Sequence, residues 1–317
     1  MKVVALAGGV GGAKLAHGLA LAMPSENLTI VVNTGDDFEH FGLKISPDLD
    51  TVCYTLAGLA NPETGWGRVD ESWNAMDSVS QLGGANWFNL GDRDLGTHLE
   101  RTRRLNLGHS LSQITTDFCE AWGIAAKVLP MSDDTVPTIV ITDEGELPFQ
   151  EYFVARRCEP QVSAFRFEGV EQAAPVPGIL EAIEATDVVI FCPSNPWVSI
   201  DPILALPGLR KAMADKPVVA VSPIIGGQAV KGPAAKMYTE LGIEPSALAV
   251  AQHYQNELSG FVFDSVDERY YSEIESTDIQ PLVTNTLMKS VEDRQHLAEE
   301  VLRFCEELLI PSGVGSG

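Results

Sequence analysis

The chain has 317 residues and a mass of 34.2 kDa, with 45% hydrophobic and 21% charged residues, so it can bury a sizeable core. Asp plus Glu number 44 against 21 for Lys plus Arg, a net charge of −23 that repels phosphate backbones and anionic lipid and excludes nucleic acid and membrane surfaces as partners. Mean hydropathy is +0.05, and no run approaches the ~20 apolar residues of a membrane span.

The start passes from Met1-Lys2 into the apolar stretch 3–7 and then a glycine turn, without the h-region and cleavage site of a signal peptide, so a cytoplasmic protein is expected. Five scattered cysteines without a Cys-x-x-Cys pair read as buried thiols in a reducing compartment. Cys192, beside Pro193 at a strand end, is the one candidate nucleophile among them, against the commoner reading of a core thiol.

In chain order, strand 2–7, helix 13–22 and strand 28–33 form a βαβ unit. Residues 48–59 and 92–125 read as helical, with 61–91 irregular between them, so 50–125 is expected to be a mostly helical insertion. Segments 138–142 and 149–156 flank Asp143-Glu144-Gly145-Glu146 and suggest a β-hairpin. From 178 the alternation resumes with helix 178–185, strand 187–191, helix 202–214, strand 217–221 and helix 233–241. A strand at 281–284 and a long amphipathic helix at 289–309 follow, and the Gly/Ser-rich tail 311–317 reads as disordered. The expected fold is one α/β unit, a Rossmann-like parallel sheet flanked by helices.

The unusual residues cluster just after predicted strands, at 8–14, 33–37, 132–134, 193–197 and 222–231. In an open parallel sheet these points share the carboxyl edge, where ligands bind. Gly8-Gly9-Val10-Gly11-Gly12-Ala13-Lys14 joins strand to helix, and such a turn lets backbone amides approach a phosphate while Lys14 adds charge. It fits neither standard template: the third glycine of G-x-G-x-x-G falls on Lys14, and a P-loop needs Gly at Ala13 and Ser or Thr at Leu15. The alternative is a turn packed tightly for the fold alone.

Asn33-Thr34-Gly35-Asp36-Asp37 presents adjacent carboxylates, and Asp36 and Asp37 read either as oxygen ligands for Mg²⁺ beside a phosphate or as an Asx turn. Asp48 and Asp50 open a helix, and capping alone would explain them. Gly91-Asp92-Arg93-Asp94-Leu95 opens another helix, and Arg101-Thr102-Arg103-Arg104 reads as a solvated face, with an anion partner for one arginine as the minority reading. Pro193-Ser194-Asn195-Pro196 is a stiff platform offering Ser194 and Asn195. Ser222-Pro223-Ile224-Ile225-Gly226-Gly227, followed by Lys231-Gly232-Pro233, adds Ser222, the Gly226 and Gly227 amides and the Lys231 charge. Lys14 and Lys231 then supply the local positive potential that the whole chain lacks.

Taken together, the strings at 8–14, 33–37, 46–51 (Ser-Pro-Asp-Leu-Asp-Thr), 91–95, 194–196 and 222–233 resemble the 2-phospho-L-lactate transferase family of coenzyme F420 biosynthesis. The resemblance implies transfer of a phosphorylated three-carbon acid (lactyl, enolpyruvyl or glyceryl) from a guanosine diphosphate ester to the ribityl hydroxyl of the deazaflavin Fo, releasing GMP. It assigns Asp50 and Arg93 to the deazaflavin; chemically, Asp50 would either orient the attacking hydroxyl by a hydrogen bond or accept its proton late. Gly9, Gly11, Gly12, Lys14, Ser194, Asn195, Ser222, Gly226, Gly227 and Lys231 fall to the guanosine ester, Asp36 and Asp37 to Mg²⁺, and the enzyme is expected to be a homodimer. A rival from another class is a non-catalytic nucleotide-binding regulator of the related gluconeogenesis-factor branch, which shares the glycine turn. A nicotinamide dehydrogenase is the third reading and rests only on Gly9, Gly11 and Asp36.

Overall fold

The computed structural model describes residues 1–310; the tail expected to be disordered lies outside them. The first half runs β1 (Val3–Ala7), α1 (Gly9–Ala22), β2 (Leu28–Val32), a small hairpin of β3 (Phe38–His40) and β4 (Leu43–Ile45), then α2 (Pro47–Leu56), α3 (Asn74–Gln81), α4 (Asp92–Asn106) and α5 (Leu111–Ala121). The chain returns through β5 (Lys127–Pro130) and a three-stranded antiparallel sheet of β6 (Thr138–Thr142), β7 (Gly145–Pro148) and β8 (Val162–Phe167). The second half comprises α6 (Ile179–Ala185), β9 (Val188–Phe191), α7 (Asp201–Leu204), α8 (Leu209–Met213), β10 (Val218–Val221), a hairpin of β11 (Ile224–Ile225) and β12 (Gln228–Ala229), and α9 (Ala234–Glu240). It closes with α10 (Ala247–His253), β13 (Gly260–Asp264), α11 (Tyr271–Glu275), β14 (Gln280–Thr284) and α12 (Val291–Leu309).

Seven strands form the central sheet in the order β14-β13-β10-β9-β1-β2-β5, every neighbouring pair parallel. The Rossmann-like parallel sheet flanked by helices is therefore present. Buried on both faces, β1, β9 and β10 are continuous apolar runs, as a central parallel strand requires. The two-residue side-chain period splits β1 between two cores. Val3, Ala5 and Ala7 pack with α1 and α12, while Val4 and Leu6 join the larger core under α6, α9 and α10. Truncating fully buried Leu6 to Ala would cost about 2–5 kcal/mol.

Several expectations need correction. The glycine turn is not a loop before a helix: α1 begins at Gly9, so Gly9, Val10, Gly11 and Gly12 are its first turn. The helical stretch 92–125 is two helices, broken where Gly108 takes φ +88°. The region read as irregular contains α3. The hairpin's second strand is β7, and 149–156 instead includes a π-helical turn at Glu151–Ala155. The helix read over 202–214 is two short ones separated at Gly208, φ +87°. No helix among the described residues is long and apolar enough to cross a membrane.

Candidate active site

Chain direction decides where the site lies. From β1 the chain steps outward to β2 and β5, and from β9 it steps the other way to β10, β13 and β14. The order therefore reverses between β1 and β9, and a crevice must open there beyond their carboxyl ends. A cavity of about 740 Å³ occupies that place.

Its first wall comes from the strand ends. Gly8, Gly9, Gly11 and Lys14 follow β1; Pro193, Ser194 and Asn195 follow β9; Ser222, Pro223 and Lys231 follow β10. These loops lock together through small residues. A Cβ on Gly11 would lie 2.2 Å from the Pro193 carbonyl oxygen, and one on Gly12 would lie 2.6 Å from Ser194 Oγ. Ser194 Oγ donates to the Gly8 carbonyl at 2.8 Å. Lys14 Nζ donates to the Met288 carbonyl at 2.7 Å, and Lys231 Nζ donates to the Thr64 carbonyl. Burial lowers the Lys14 pKa, and the positive charges of Arg294 and Lys231 lower it further, so an anion placed there would be welcome.

An acidic group sits beneath this wall. Asn33 Nδ2 lies 3.1 Å from Asp36 Oδ1 and 2.9 Å from Asp48 Oδ2, donating between two carboxylates. Asp48 Oδ1 accepts the Gly9 N–H at 2.7 Å, so the first amide of α1 is already taken by a side chain. Burial pushes the Asp48 carboxyl up to about 6 against the hydrogen bonds from Asn33 and Gly9. Asp36 is raised well above its ordinary range by burial and by Asp48. Both carboxylates line the cavity. Asp37 does not: its Oδ2 accepts from Ser46 Oγ at 2.7 Å, fixing the start of α2, while its buried Oδ1 has no partner.

The second wall is contributed by the segment between β2 and β5. Asp50 and Tyr54 face in from α2, Asp94 and His98 from α4, and Trp66, Trp87 and Phe88 from the loops. Phe88 packs edge-on against Phe38 with centroids 4.8 Å apart, and Trp87 sits 5.0 Å from His40. Behind Asp50 stands Arg101, 2% exposed, whose Nη1 and Nη2 donate to both Asp50 oxygens. Asp50, Asp94 and His98 are close enough to hold a metal. Arg101, bonded to both Asp50 oxygens, already sets a positive charge against that trio, so the cluster also reads as an ion-pair network.

Among the residues singled out in the sequence, Gly9, Gly11, Lys14, Asp36, Asp50, Ser194, Asn195, Ser222 and Lys231 are brought to one cavity. Five are not. Gly12 is buried where α1 meets β1, and Asp37 braces α2. Gly226 and Gly227, φ +58° and +77°, form the two-residue turn between β11 and β12 that demands left-handed backbone, and the Gly226 N–H donates to Asp267. Arg93 is half exposed, with Nη1 donating to the Val69 carbonyl at 3.2 Å. Ser132, from the fifth strand-end cluster, bonds the Ala174 carbonyl and lies outside the cavity. Buried Cys192 has its thiol pushed up to about 12 and does not line it either.

Sequence reasoning misses His98 outright; it reads Asp48 and Asp94 only as acids that open helices, and Arg101 only within a basic run, where it is the arginine that meets an anion, the Asp50 carboxylate. Asp94, His98 and Arg101 recur at i, i+4 and i+7, a polar stripe on one helix face that periodicity could have shown.

Comparison with known proteins shows the fold and the family of the chain. A solved member of the UPF0052 family from Bacillus halodurans superposes with a TM-score of 0.62 over 95% of this chain and 98% of its own, at 14% identity, which shows a shared fold. A phosphoenolpyruvate transferase of Streptomyces griseus is 44% identical over 316 residues, covering 97% of this chain and 99% of the relative. A 2-phospho-L-lactate transferase of Methanosarcina mazei is 40% identical over 301 residues, covering 95% and 99%. The family model for the 2-phospho-L-lactate transferase CofD matches residues 3–300, which takes in both walls of the crevice. The chain belongs to the 2-phospho-L-lactate transferase CofD family.

Proposed function

We propose that this protein transfers a phosphorylated three-carbon acid from a guanosine diphosphate ester to the ribityl hydroxyl of the deazaflavin Fo in coenzyme F420 biosynthesis. The observation that carries this reading is the two-sided crevice, with a glycine and lysine wall suited to a diphosphate facing an aromatic wall that contains one buried carboxylate. The hydroxyl oxygen attacks the phosphorus bearing the acid, the bond from that phosphorus to GMP breaks, and the hydroxyl proton passes to solvent. GMP leaves readily, so the protein's task is positioning and charge neutralisation. Asp50 accepts the hydroxyl's hydrogen bond and orients it.

Mg²⁺ fits the acidic group. Asp36 and Asp48 are oxygen donors at the cavity wall that burial leaves unfavourably charged, as carboxylates awaiting a cation are. These two, rather than Asp36 and Asp37, would hold it. Bound there, Mg²⁺ would offset the charge of the diphosphate. The protein is proposed to be a cytoplasmic homodimer, which light scattering checks directly.

A nucleotide-binding regulator would need only the first wall. Incubating the protein with Fo and each of the lactyl, enolpyruvyl and glyceryl esters, then weighing the product, decides between them. A phosphodiester of Fo with release of GMP is expected, and no product from any ester would overturn the transferase reading.

A further inference from the structure

Arg101 is among the largest fully buried side chains of the described residues. Its Nη1 donates to Asp50 Oδ2 at 3.0 Å and its Nη2 to Asp50 Oδ1, a two-pronged clamp on one carboxylate. Nη1 also lies 3.2 Å from His98 Nδ1. On its far side, His98 Nε2 is 3.3 Å from Asp94 Oδ2, and Asp94 Oδ1 accepts the Tyr54 hydroxyl at 2.7 Å. The chain of contacts thus runs between α2 and α4 and ends at the cavity on Asp50.

Stability alone does not account for such a construction. A buried ion pair repays its desolvation poorly, and apolar side chains of the same volume would join α2 to α4 at least as well. Arg101 itself does not line the cavity, whereas Asp50 does. Clamping both oxygens has two consequences for Asp50. Its side-chain torsions are fixed, and one lone pair on each oxygen is spent, which leaves the remaining ones to accept hydrogen bonds from the cavity side.

We propose that Arg101 is a positioning residue for the acceptor alcohol, acting through Asp50: its fork fixes the carboxylate that receives the acceptor's hydroxyls. The proposal rests on the transferase reading above. A lysine at 101 would keep the charge and lose the fork, because an ammonium is a point charge without the planar two-pronged geometry.

The test compares wild type with Arg101→Lys, Arg101→Gln, Asp50→Asn and the double Asp50→Asn/Arg101→Gln variant. It measures kcat, KM for Fo and for the guanosine ester, GDP affinity and unfolding by urea. R101K is expected to lower kcat/KM for Fo on the order of 10–100-fold, as misplacement of an orienting group does. GDP affinity should stay within about twofold, because the fork acts on the second wall alone. The double variant should be no worse toward Fo than the poorer single one. Wild-type Fo kinetics in R101K, equal losses toward both substrates, or additive losses in the double variant would each overturn the positioning role. Failure of the transferase reading looks different: wild type itself then makes no product.

Discussion

The two walls of the crevice are built on opposite principles. The strand-end wall is made of backbone and small side chains, held by contacts such as Ser194 Oγ to the Gly8 carbonyl and by the close approach of Gly11 to Pro193. The facing wall is made of long side chains whose positions depend on other side chains, Asp50 on Arg101 and Asp94 on Tyr54 and His98. Loss of a side chain from the first wall should therefore weaken a ligand contact. Loss from the second should strand a buried partner and damage the fold as well.

The largest expected effect tests that contrast directly. Asp50→Ala leaves the Arg101 guanidinium buried without its counter-charge, which should cost about 3–5 kcal/mol of stability. Asp50→Asn keeps the shape and a carbonyl acceptor and should cost less. Urea unfolding of the two variants checks this, and equal stabilities would mean the second wall does not depend on the pair.

Next comes Asp48, the one carboxylate that joins the acidic group to the glycine turn. Its pKa is raised from an ordinary 3.8 to about 6, so the folded state holds its proton more tightly than the unfolded chain. Its contribution is most favourable below pH 4 and is lost as the pH rises to 6 and beyond. A rise of that size corresponds to a loss on the order of 3 kcal/mol. Without Mg²⁺, wild type should lose stability relative to Asp48→Asn between pH 4 and pH 7. Parallel pH curves for the two proteins would show that Asp48 carries no such cost.

Smaller effects belong to the cations. Lys14→Ala removes one charge-assisted contact from the first wall and should weaken GDP binding by about 1.5–3 kcal/mol with little change in stability, read by calorimetry. Arg93→Ala, on an exposed side chain outside the cavity, should shift Fo or GDP binding by no more than about 0.5 kcal/mol. A loss with Arg93→Ala as large as that with Asp50→Asn would return Arg93 to the acceptor's binding site.

The same contrast explains what could be read from sequence. The first wall was legible because its signals are local: a buried strand, then glycines, prolines or a lysine within a few residues, repeated after β1, β9 and β10. Local signals also misled. Gly226 and Gly227 look like phosphate-binding glycines, yet their positive φ serves the β11–β12 turn. The second wall is set by pairing at a distance. Arg101 sits in a basic run whose other arginines, Arg103 and Arg104, bond Glu100, as a solvated helix face should. Arg101 differs because its partner lies 51 residues earlier on another helix. Asp48 reads as a helix-capping acid for the same reason, since its partner Gly9 is 39 residues away.

The small positive patch at Lys14 and Lys231 inside a chain of net charge −23 has a kinetic consequence. An anion approaching from solution meets repulsion first and attraction only at contact. Salt near 0.1 M shortens the range of the repulsion to about 10 Å and leaves the contacts at the crevice largely intact, so encounter should speed up as ionic strength rises from low values. An enzyme with a basic exterior would behave in the opposite way. The acidic exterior would thereby slow bare polyanions more than those whose charge a divalent cation has already offset.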